Sequence, residues 1–480
     1  MTRIHRAKVG FSKIQVTEAG RLGSFGVHDH LHARAMHVEA GDGPALIISL
    51  DHMGLLPAQS AAVKSRLARS SAIPAGRIVM FYSHTHSGVE FRAGALAALL
   101  ARAAAQARER ARPADIAYAK VDVGHRYSVN RRADVGRGLG AVSILFNRNV
   151  TVDLKAGTEE VGAQIRDFIT RGINIWGTDY LEPDKDPDRP ARPLSRRQAD
   201  LLKALPPKIY LDGPVDSDLE WLAFRTPRGR WLGSIVRFSA HAVIWRKAIT
   251  RLISADYPGP LCSHIEEATN GAPALFVNGP CGDIKPLYPE NTEEQMNRVG
   301  SSLTRRLLRR RSRLAWHTLA RVVFAKHKER FHVHQDVEEH AGRWPVEQAS
   351  QRFHRLARRG DNPLAIKRAL DWSLRCWGNA DIGWRRPTIS LPFHLIAFND
   401  AALLGLPTEV WCEIGMAVKA RTRPNPIIVG SLCDVCTNYV PLPGALSAGG
   451  YEAVNSMLDE SAGGRFADIA AALVEDNLYR

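Results

Sequence analysis

Apolar and amphipathic stretches alternate along the first part of the chain. Residues 45–50 and 78–83 are mainly apolar, which is typical of strands that are buried on both faces. Residues 59–70 and the alanine-rich residues 93–112 each predict a helix, and each follows one of these strands. Strands that alternate with helices in this way predict an α/β unit.

The pattern continues with further strands and a block of helices. Strands are predicted at 221–225, 232–238, 274–278, 388–393, 395–398 and 426–429, with a polar turn at 226–229 between the first two. Basic helices are predicted to fill residues 300–375. No stretch has the composition of a linker, so we expect a single domain over residues 1–480. The predicted fold class is α/β, with a mixed β-sheet core and helices.

Composition supports this picture, because 45% hydrophobic residues in a chain of 480 are enough to form a large core. No apolar run approaches the ~20 residues that a membrane-spanning helix needs. Residues 1–8 carry positive charge, but the apolar segment of a secretory signal does not follow them. We therefore expect a cytoplasmic protein without a transmembrane segment.

The net charge of +16 is concentrated in one basic segment. Its side chains are Arg305, Arg306, Arg309, Arg310, Arg311, Arg313, Arg321, Lys326, Lys328 and Arg330. A basic surface attracts nucleic acid or anionic lipid, whereas leucines at 303, 307, 308 and 314 recur as in a solvated amphipathic helix. No nucleic-acid-binding motif accompanies the charge, which favours the solvated helix. We expect no nucleic-acid partner and at most weak contact with an anionic membrane surface.

Six cysteines are few for a chain of this length, and their irregular spacing does not indicate a disulfide framework. Cys433 and Cys436 form a Cys-x-x-Cys pair of the kind that can bind zinc or perform redox chemistry. Because no second pair accompanies it, two reduced structural thiols are the favoured interpretation.

The strongest local signal for chemistry is a pair of histidines at the end of a predicted strand. His84 and His86 follow the strand at 78–83, at the place where α/β enzymes tend to carry their active sites. Residues i and i+2 of a strand share a face, so the two imidazoles can converge on one Zn²⁺ ion. His241 closes the strand at 232–238 in a similar setting. A His-x-His pair also arises by chance in cores and on surfaces, so the pair alone does not decide between a metal site and a chance occurrence.

Two later loops also carry groups that could belong to a site. Asp256 follows His241 in the chain, and it either orients a metal ligand from behind or is a turn residue before a helix. The Gly/Pro-rich segment 279–286 follows the strand at 274–278, and it either frames a site or is an ordinary turn.

Taken in order, these segments resemble the neutral/alkaline non-lysosomal ceramidase family in its catalytic N-terminal region. The resemblance extends from about residue 9 to about residue 460. Its most specific parts are His84-Thr85-His86, Tyr439-Val440-Pro441 and Gly449-Gly450-Tyr451-Glu452. The other matching segments are Gly26-Val27-His28-Asp29 with Ala33-Arg34-Ala35, Ser49-Leu50-Asp51, Ser128-Val129-Asn130-Arg131, Phe238-Ser239-Ala240-His241, Ile253-Ser254-Ala255-Asp256-Tyr257, Leu406-Pro407-Thr408-Glu409 and Asn438 before Tyr439.

The resemblance implies a ceramidase-like catalytic domain in which four side chains hold Zn²⁺. The implied ligands are His84, His241, Glu409 and Tyr439. A tyrosine ligand is unusual and does not follow from the residue pattern alone. Glu409 has a competing role as the first acid of a helix that Thr408 caps, and Tyr439 could equally be a half-buried loop aromatic.

The resemblance also implies the catalytic roles of three residues. His86 would position or deprotonate the zinc-bound water and pass the proton to the leaving amine. Arg131 and Tyr451 would donate to the developing oxyanion. The competing interpretations are a surface arginine for Arg131, since other arginines lie close by in sequence, and a loop aromatic for Tyr451.

The chain departs from the family pattern in two places. The family's Gly-Asp/Asn-x-Ser-Pro turn reads Gly282-Asp283-Ile284-Lys285-Pro286, so Lys285 replaces a serine of the active site. The sequence also ends soon after Glu452, so we expect no counterpart of the C-terminal immunoglobulin-like domain of typical members. We expect Lys285 either to face solvent or to engage an anionic group of the substrate or a carboxylate such as Asp283.

Three functional hypotheses follow from the sequence. The first is zinc-dependent hydrolysis of an amide (N-acyl) bond in a small molecule that is anionic or lipid-like, but not ceramide itself. The second is metal-dependent hydrolysis of an ester or a cyclic amide on the same scaffold. The third is a non-catalytic protein that binds anionic lipid or nucleic acid through its basic face. No implied ligand is missing from the sequence, which favours the hydrolases.

Overall fold

The computed structural model describes residues 6–40, 43–134, 139–143, 193–204, 210–245, 250–287, 292–340, 342–422 and 425–479. The strands among these residues are numbered in chain order. The first are β1 (Lys8–Gln15), β2 (Gly20–Arg21), β3 (Gly26–Val27), β4 (His32–Ala40), β5 (Gly43–Leu50), β6 (Ile78–Tyr82), β7 (Glu90–Phe91), β8 (Arg112–Pro113), β9 (Asp115–Asp122), β10 (Ser128–Asn130), β11 (Arg132–Asp134) and β12 (Ala141–Ser143). The others are β13 (Asp218–Arg225), β14 (Trp231–Phe238), β15 (Leu252–Ile253), β16 (Ala274–Asn278), β17 (Ile284–Pro286), β18 (His317–Thr318), β19 (Val322–His332), β20 (Thr388–Phe398), β21 (Ala401–Gly405), β22 (Glu409–Val410), β23 (Ile427–Gly430) and β24 (Tyr439–Val440).

The α-helices of the described residues are numbered in the same way. They are α1 (Pro57–Ser71), α2 (Ala93–Glu109), α3 (Arg196–Ala204), α4 (Pro258–Ala268), α5 (Glu293–Leu308), α6 (Gln335–His340), α7 (Val346–Arg359), α8 (Pro363–Ile382), α9 (Cys412–Arg421), α10 (Ala445–Ala448), α11 (Tyr451–Val454) and α12 (Ala462–Leu478). Within the part of the chain that the structure describes, none of them has the length and apolar character needed to cross a membrane.

Three sheets form the centre of the described structure, and each contains one parallel pair of strands. The first sheet has the order β6-β5-β4-β1-β8, in which β5 and β6 are parallel. The second has the order β16-β14-β13-β9-β18, in which β14 and β16 are parallel. The third has the order β19-β20-β21-β23, in which β21 and β23 are parallel. Mixed sheets with helices confirm the predicted α/β class.

An apolar core lies where the three sheets meet. Phe224 of the second sheet contacts Phe11 of the first and Phe398 of the third, with ring centroids 5.6 and 5.5 Å apart. Helices cover the other faces of the sheets: α1 and α2 lie on the first, α4 and α5 on the second, and α9 and α12 on the third. The parallel strands of each sheet are therefore almost wholly buried on both faces, as their continuously apolar sequences predict.

Two predictions for the C-terminal half were wrong. The segment predicted as helical over 300–375 contains the long strand β19, which pairs with β20 along its whole length. From Lys326 to His332 its residues are mainly polar and exposed, so this half of the strand is specified by the pairing rather than by its own apolar pattern. The strands predicted at 388–393 and 395–398 are one strand, β20. His394 interrupts the apolar run, but Nε2 of His394 hydrogen-bonds Asp434 at 2.8 Å, so the strand accommodates it.

The arginine-rich segment begins in an amphipathic helix. Leu303 and Leu307 of α5 are buried in the core, while Arg305 between them is exposed. After the helix, the guanidinium of Arg311 lies 5.5 Å from the ring centroid of Trp231, a cation–π contact. The leucines thus recur at this spacing because they pack in the core, and the arginines face outward.

Asn278, at the end of β16, joins the carboxyl ends of the three parallel pairs. Its side-chain Nδ2 donates to the carbonyl oxygens of Ser83 and Ala240, each at 3.1 Å, just beyond β6 and β14. Its own carbonyl accepts from the backbone N–H of Ser431, at 2.8 Å, just beyond β23. Asn278 is fully buried, so water cannot replace these hydrogen bonds.

We expect Asn278→Ala to lower the free energy of unfolding by about 2–4 kcal/mol, because two buried carbonyl oxygens lose their donor. Asn297 is exposed on α5 and offers a matched control, for which replacement by alanine should change this free energy by less than ~0.5 kcal/mol. Equilibrium unfolding in urea measures both variants. If both variants had the same free energy of unfolding, Asn278 would not join the sheets.

Candidate metal centre

Three loops, one after each parallel pair, supply the polar side chains of a buried centre. His84 follows β6, His241 follows β14, and Glu409 follows β21. Tyr439 lies beyond β23 and pairs with Glu409 through the short parallel strands β22 and β24. Residues that are far apart in sequence therefore meet at one end of the three sheets, where the carboxyl ends of the parallel strands converge.

Backbone carbonyl groups orient the two histidines. Nδ1 of His84 is 2.6 Å from the carbonyl oxygen of Met53. Nδ1 of His241 is 2.7 Å from the carbonyl oxygen of Cys281 and 3.0 Å from that of Ile284. A carbonyl oxygen only accepts, so each Nδ1 carries the proton and each Nε2 presents a lone pair. Histidines that bind metal ions are usually held in this way.

The carboxylate of Glu409 lies between the two Nε2 atoms. Its Oε2 is 3.3 Å from Nε2 of His84 and 3.1 Å from Nε2 of His241. Two ligands of a tetrahedral ion that are bound at ~2.0–2.1 Å lie about 3.3 Å apart, so these atoms have the spacing that a shared metal ion requires.

The charges of these groups also suit a cation. Burial and the nearby Arg131 lower the pKa of His241 to about 4, so its imidazole is neutral at pH 7. The carboxylate of Glu409 is buried as well, and its Oε2 lies within 3.3 Å of both Nε2 atoms. An ionised carboxylate thus faces the lone pair of a neutral imidazole. A cation between them removes the repulsion, and the donor set fits a metal ion.

Strained backbone presents several of these side chains. His84 has a φ of 63°, Thr408 before Glu409 has a φ of 60°, and Asn438 before Tyr439 has a φ of 64°. The left-handed region costs a non-glycine residue roughly 1–3 kcal/mol and persists where the surrounding structure fixes it. The direction of the ligands is therefore set by local backbone geometry that tertiary contacts maintain.

Arg131 is buried and donates to several groups of the centre. Its Nε lies 2.6 Å from Oε1 of Glu452. Its Nη2 lies 2.9 Å from the carbonyl oxygen of Gly282 and 3.1 Å from the hydroxyl oxygen of Tyr439. The same Nη2 is 3.4 Å from Nε2 of His241. The interpretation of Arg131 as a surface arginine is therefore wrong.

Tyr451 begins α11 beside the centre. Its ring lies edge-on to that of Tyr439, with centroids 5.8 Å apart, and 6.4 Å from the ring of Trp377. Tyr451 is half-buried, whereas Tyr439 is buried. The structure brings both tyrosines to the centre, and their roles stay a prediction.

His86 lies beside the other two histidines. Its ring centroid is 4.9 Å from that of His84 and 6.0 Å from that of His241. One nitrogen of each of the three histidines lies within 4.8 Å of the others. Nε2 of His86 is buried and has no hydrogen-bond partner among the described residues. This nitrogen can therefore bind a metal ion or form a hydrogen bond with a water molecule or a substrate.

A second group of side chains has the composition of a metal site but a different environment. It consists of His394, Cys433 and Asp434. The carboxylate of Asp434 accepts hydrogen bonds from the ammonium of Lys64, from Nε2 of His394 at 2.8 Å and from the N–H of Met80 at 3.0 Å. Protein donors thus satisfy this carboxylate, and the lysine ammonium opposes a cation there. The group joins α1 to the first and third sheets.

Two interpretations of the ligand segments need correction. The spacing of His84 and His86 predicts that they share one face of a strand, but β6 ends at Tyr82 and His84 is left-handed. Their rings approach each other through a turn rather than through strand alternation. Glu409 is not the first acid of a helix, because it lies in β22 and α9 begins at Cys412.

Lys285 is completely buried, so the first of its two predicted alternatives, a side chain that faces solvent, is wrong, and engagement with an anionic group stays a prediction. Lys285 pairs with Val129 between the antiparallel strands β17 and β10, and the two side chains share a face. The carboxylate of Asp283 accepts from Nδ2 of Asn130 at 2.7 Å and from the N–H of Cys412 at 2.8 Å.

Asp256 supports the turn interpretation of its loop. It is fully buried, with a φ of 58°. Its carboxylate accepts from the backbone N–H groups of Trp245 at 2.7 Å and of Tyr257 at 2.5 Å. These hydrogen bonds hold the loop that follows His241 against the start of α4.

Two residues to which the sequence interpretation gave no role support the centre. Asn278 joins the sheets, and its only signal in the sequence was its place at the end of a predicted strand. Glu452 is fully buried and accepts hydrogen bonds from Arg131, Arg132 and Ser143. Glu452 belongs to the matched Gly-Gly-Tyr-Glu segment, which was the signal that could have identified it.

Fold and centre together define an α/β protein with a buried histidine–carboxylate group where three mixed sheets meet. Two solved structures have a similar fold. The crystal structure of neutral ceramidase from Pseudomonas aeruginosa aligns with 98% of this chain and 74% of its own, with a TM-score of 0.63 and 16% sequence identity. A ceramidase complexed with C2 aligns with 98% of this chain and 75% of its own, with a TM-score of 0.60 and 16% identity. No protein-family model matches the chain, and a search of curated proteins finds no match. The fold is ceramidase-like, as the resemblance predicts.

Proposed function

We propose that the protein is a zinc-dependent hydrolase of an amide (N-acyl) bond in a small molecule. The observation that carries the proposal is the position of Glu409 Oε2 between Nε2 of His84 and Nε2 of His241, at 3.3 and 3.1 Å. Imidazole nitrogens and carboxylate oxygens together are typical zinc ligands. The ceramidase-like fold supports the choice of an amide bond, because the two similar structures are ceramidases.

In this proposal the ion is held by four side chains. They are His84, His241, Glu409 and Tyr439. Zinc bound there would lower the pKa of a water molecule to about 7 and so supply a nucleophile at neutral pH. The carbonyl groups behind the histidines keep their Nε2 lone pairs directed inward, and Arg131 holds the hydroxyl oxygen of Tyr439 at 3.1 Å.

His86 serves as general acid and base. Burial holds the pKa of His86 well below its usual range, so its imidazole is neutral. Its buried Nε2 can accept a proton from the attacking water and deliver it to the leaving amine. A role as a further metal ligand is the competing assignment, and it has a direct test below.

Arg131 and Tyr451 stabilise the negative charge that develops on the acyl oxygen. The guanidinium of Arg131 is fixed by Glu452 and by the carbonyl of Gly282, so its donors need little reorganisation during the reaction. Tyr451 lies beside Tyr439 at the less buried side of the centre. Both positions suit donors to an oxyanion.

The substrate is proposed to be smaller or more anionic than ceramide. Lys285 stands where the ceramidase family has a serine, and its side chain is completely buried. The preceding residue, Ile284, accepts from Nδ1 of His241 at 3.0 Å, so this turn borders the centre. A lysine there occupies more space than a serine and adds positive charge near the metal.

Two other functions remain as alternatives. The same centre could attack an ester or a cyclic amide, and a comparison of amides with esters of the same acyl group would separate these substrates. A non-catalytic protein that binds anionic lipid or nucleic acid through its arginines would turn over neither. We further propose a cytoplasmic location and a single domain over residues 1–480.

We expect the purified protein to contain about one zinc ion per chain. His84→Ala, His241→Ala and Glu409→Gln should each weaken zinc binding by at least ~100-fold, more than is typical for a residue that only supports a ligand. His317 is exposed, and His317→Ala should leave zinc binding unchanged. Metal analysis measures the zinc content, and competition with a chelator measures the zinc affinity of each variant. Zinc binding that survives all three replacements would contradict the ligand assignment.

We expect His86→Ala to retain zinc and to lose at least ~10²-fold in kcat, because a general acid/base is removed without removal of a ligand. The measurement is zinc content together with kcat on the N-acyl amide that the parent protein hydrolyses best. Loss of zinc from this variant would make His86 a ligand instead.

We expect the parent protein to hydrolyse short N-acyl amino acids at least ~10-fold more efficiently than ceramide, and Lys285→Ser to reduce this preference, because a pocket is opened and a positive charge removed. The measurement is kcat/KM on both substrates, with circular dichroism to verify that the variant is folded. Efficient ceramide hydrolysis by the parent protein would exclude the proposed substrate class.

A further inference from the structure

The Cys-x-x-Cys pair of the sequence is divided between two environments. Cys433 is fully buried in the core between the sheets and forms an isolated bridge with Phe81. Cys436 is half-buried, and its Sγ lies 3.7 Å from Oε1 of Glu409. Of the two thiols, that of Cys436 therefore reaches the candidate metal centre.

The two oxygens of Glu409 have different neighbours. Oε2 faces the Nε2 atoms of His84 and His241, whereas Oε1 is contacted by the thiol of Cys436. A thiol is a weak hydrogen-bond donor, and an ionised carboxylate oxygen accepts. The thiol contact thus distinguishes one oxygen of the carboxylate from the other.

The backbone of Cys436 connects this contact to the loop that orients His84. The N–H of Cys436 donates to the carbonyl oxygen of Leu55 at 2.9 Å. Two residues earlier in the chain, the carbonyl oxygen of Met53 holds Nδ1 of His84 at 2.6 Å. One short loop therefore fixes both the first histidine and the residue that contacts Glu409.

We propose that Cys436 is a positioning residue of the metal centre, whose thiol holds Oε1 of Glu409 so that the carboxylate binds the ion through Oε2. The proposal rests on the zinc site of the proposed function. Without this donor, the carboxylate can rotate and present both oxygens, and the preorganisation of the ligand is lost. Groups that orient metal ligands typically change metal affinity by roughly 10–100-fold.

Zinc dissociation constants, measured by competition with a chelator, test the proposal on four proteins: the parent, Cys436→Ala, Cys436→Ser and Cys433→Ala. Cys436→Ala should weaken zinc binding about 10-fold, because the donor to Oε1 is removed. Cys436→Ser keeps a donor and should recover part of this loss. Cys433→Ala removes a thiol from the same loop away from Glu409, and zinc binding should change less than about 2-fold.

Cobalt substitution separates a positioning role from direct ligation. The cobalt form of the parent should lack the near-ultraviolet charge-transfer band of a thiolate ligand, and Cys436→Ala should shift its visible bands. A thiolate band that disappears in Cys436→Ala would make the sulfur a ligand and overturn the proposal. So would equal zinc affinities in Cys436→Ala and Cys433→Ala.

A measurement on the metal-free protein keeps this test apart from the proposed function. In the metal-free state, Cys436→Ala should lower Tm, and this loss should largely disappear in a Glu409→Ala background, where the thiol has no carboxylate to hold. If the parent binds no zinc, the proposed function fails, while this coupling still reports on the contact. The same loss of Tm in both backgrounds would overturn the proposal.

Discussion

The buried carboxylate of Glu409 is the constraint on which the rest of this structure depends. An ionised group that is removed from water is stable only where cations or donors surround it. Here the neighbours of the carboxylate come from loops of three different sheets. The thiol of Cys436, which follows β23, is a donor, while the Nε2 lone pairs of His84 and His241, which follow β6 and β14, face the place where a cation would lie. A shift in any one sheet would remove a partner from this carboxylate. The geometry of the ligands therefore depends on how the three sheets pack.

Apolar packing alone cannot fix the relative positions of the sheets precisely, because the hydrophobic effect has no direction. The contacts among Phe11, Phe224 and Phe398 bring the sheets together but tolerate small displacements. Directional bonds supply the missing precision. Asn278 holds the strand ends, and the left-handed backbone at His84 turns this side chain toward the centre. The strain is confined to loops, whereas the strands that carry them are regular and buried.

The sequence could predict the features that depend on local pattern, and it failed where tertiary pairing decides. Buried strands such as β16 were evident, since their continuous apolar runs are a local signal. Strand β19 was not, because its exposed polar residues are organised by tertiary contacts, chiefly the pairing with β20. The ligand set came from resemblance, since nothing local in Glu409 or Tyr439 indicates a metal. The proximity of His84 and His86 was anticipated for the wrong reason, because a positive φ cannot be read from residue spacing.

The buried guanidinium of Arg131 is a second charge at the candidate metal centre, and it would repel a metal ion unless another group neutralised it. The Nη2 of this guanidinium lies 3.4 Å from Nε2 of His241, where a nearby zinc ion would repel it. Glu452 is fully buried and lies 2.6 Å from Nε of Arg131, so the two side chains form a neutral pair beside the centre. Glu409 then contributes the one carboxylate that faces both Nε2 atoms among the described residues. A divalent ion and this single carboxylate would together keep a positive charge of about one before Tyr439 ionises, in addition to the charge of the buried Lys285. In the proposed hydrolysis, such a charge would stabilise an acyl oxygen on which negative charge develops, and it would attract a substrate that carries a carboxylate.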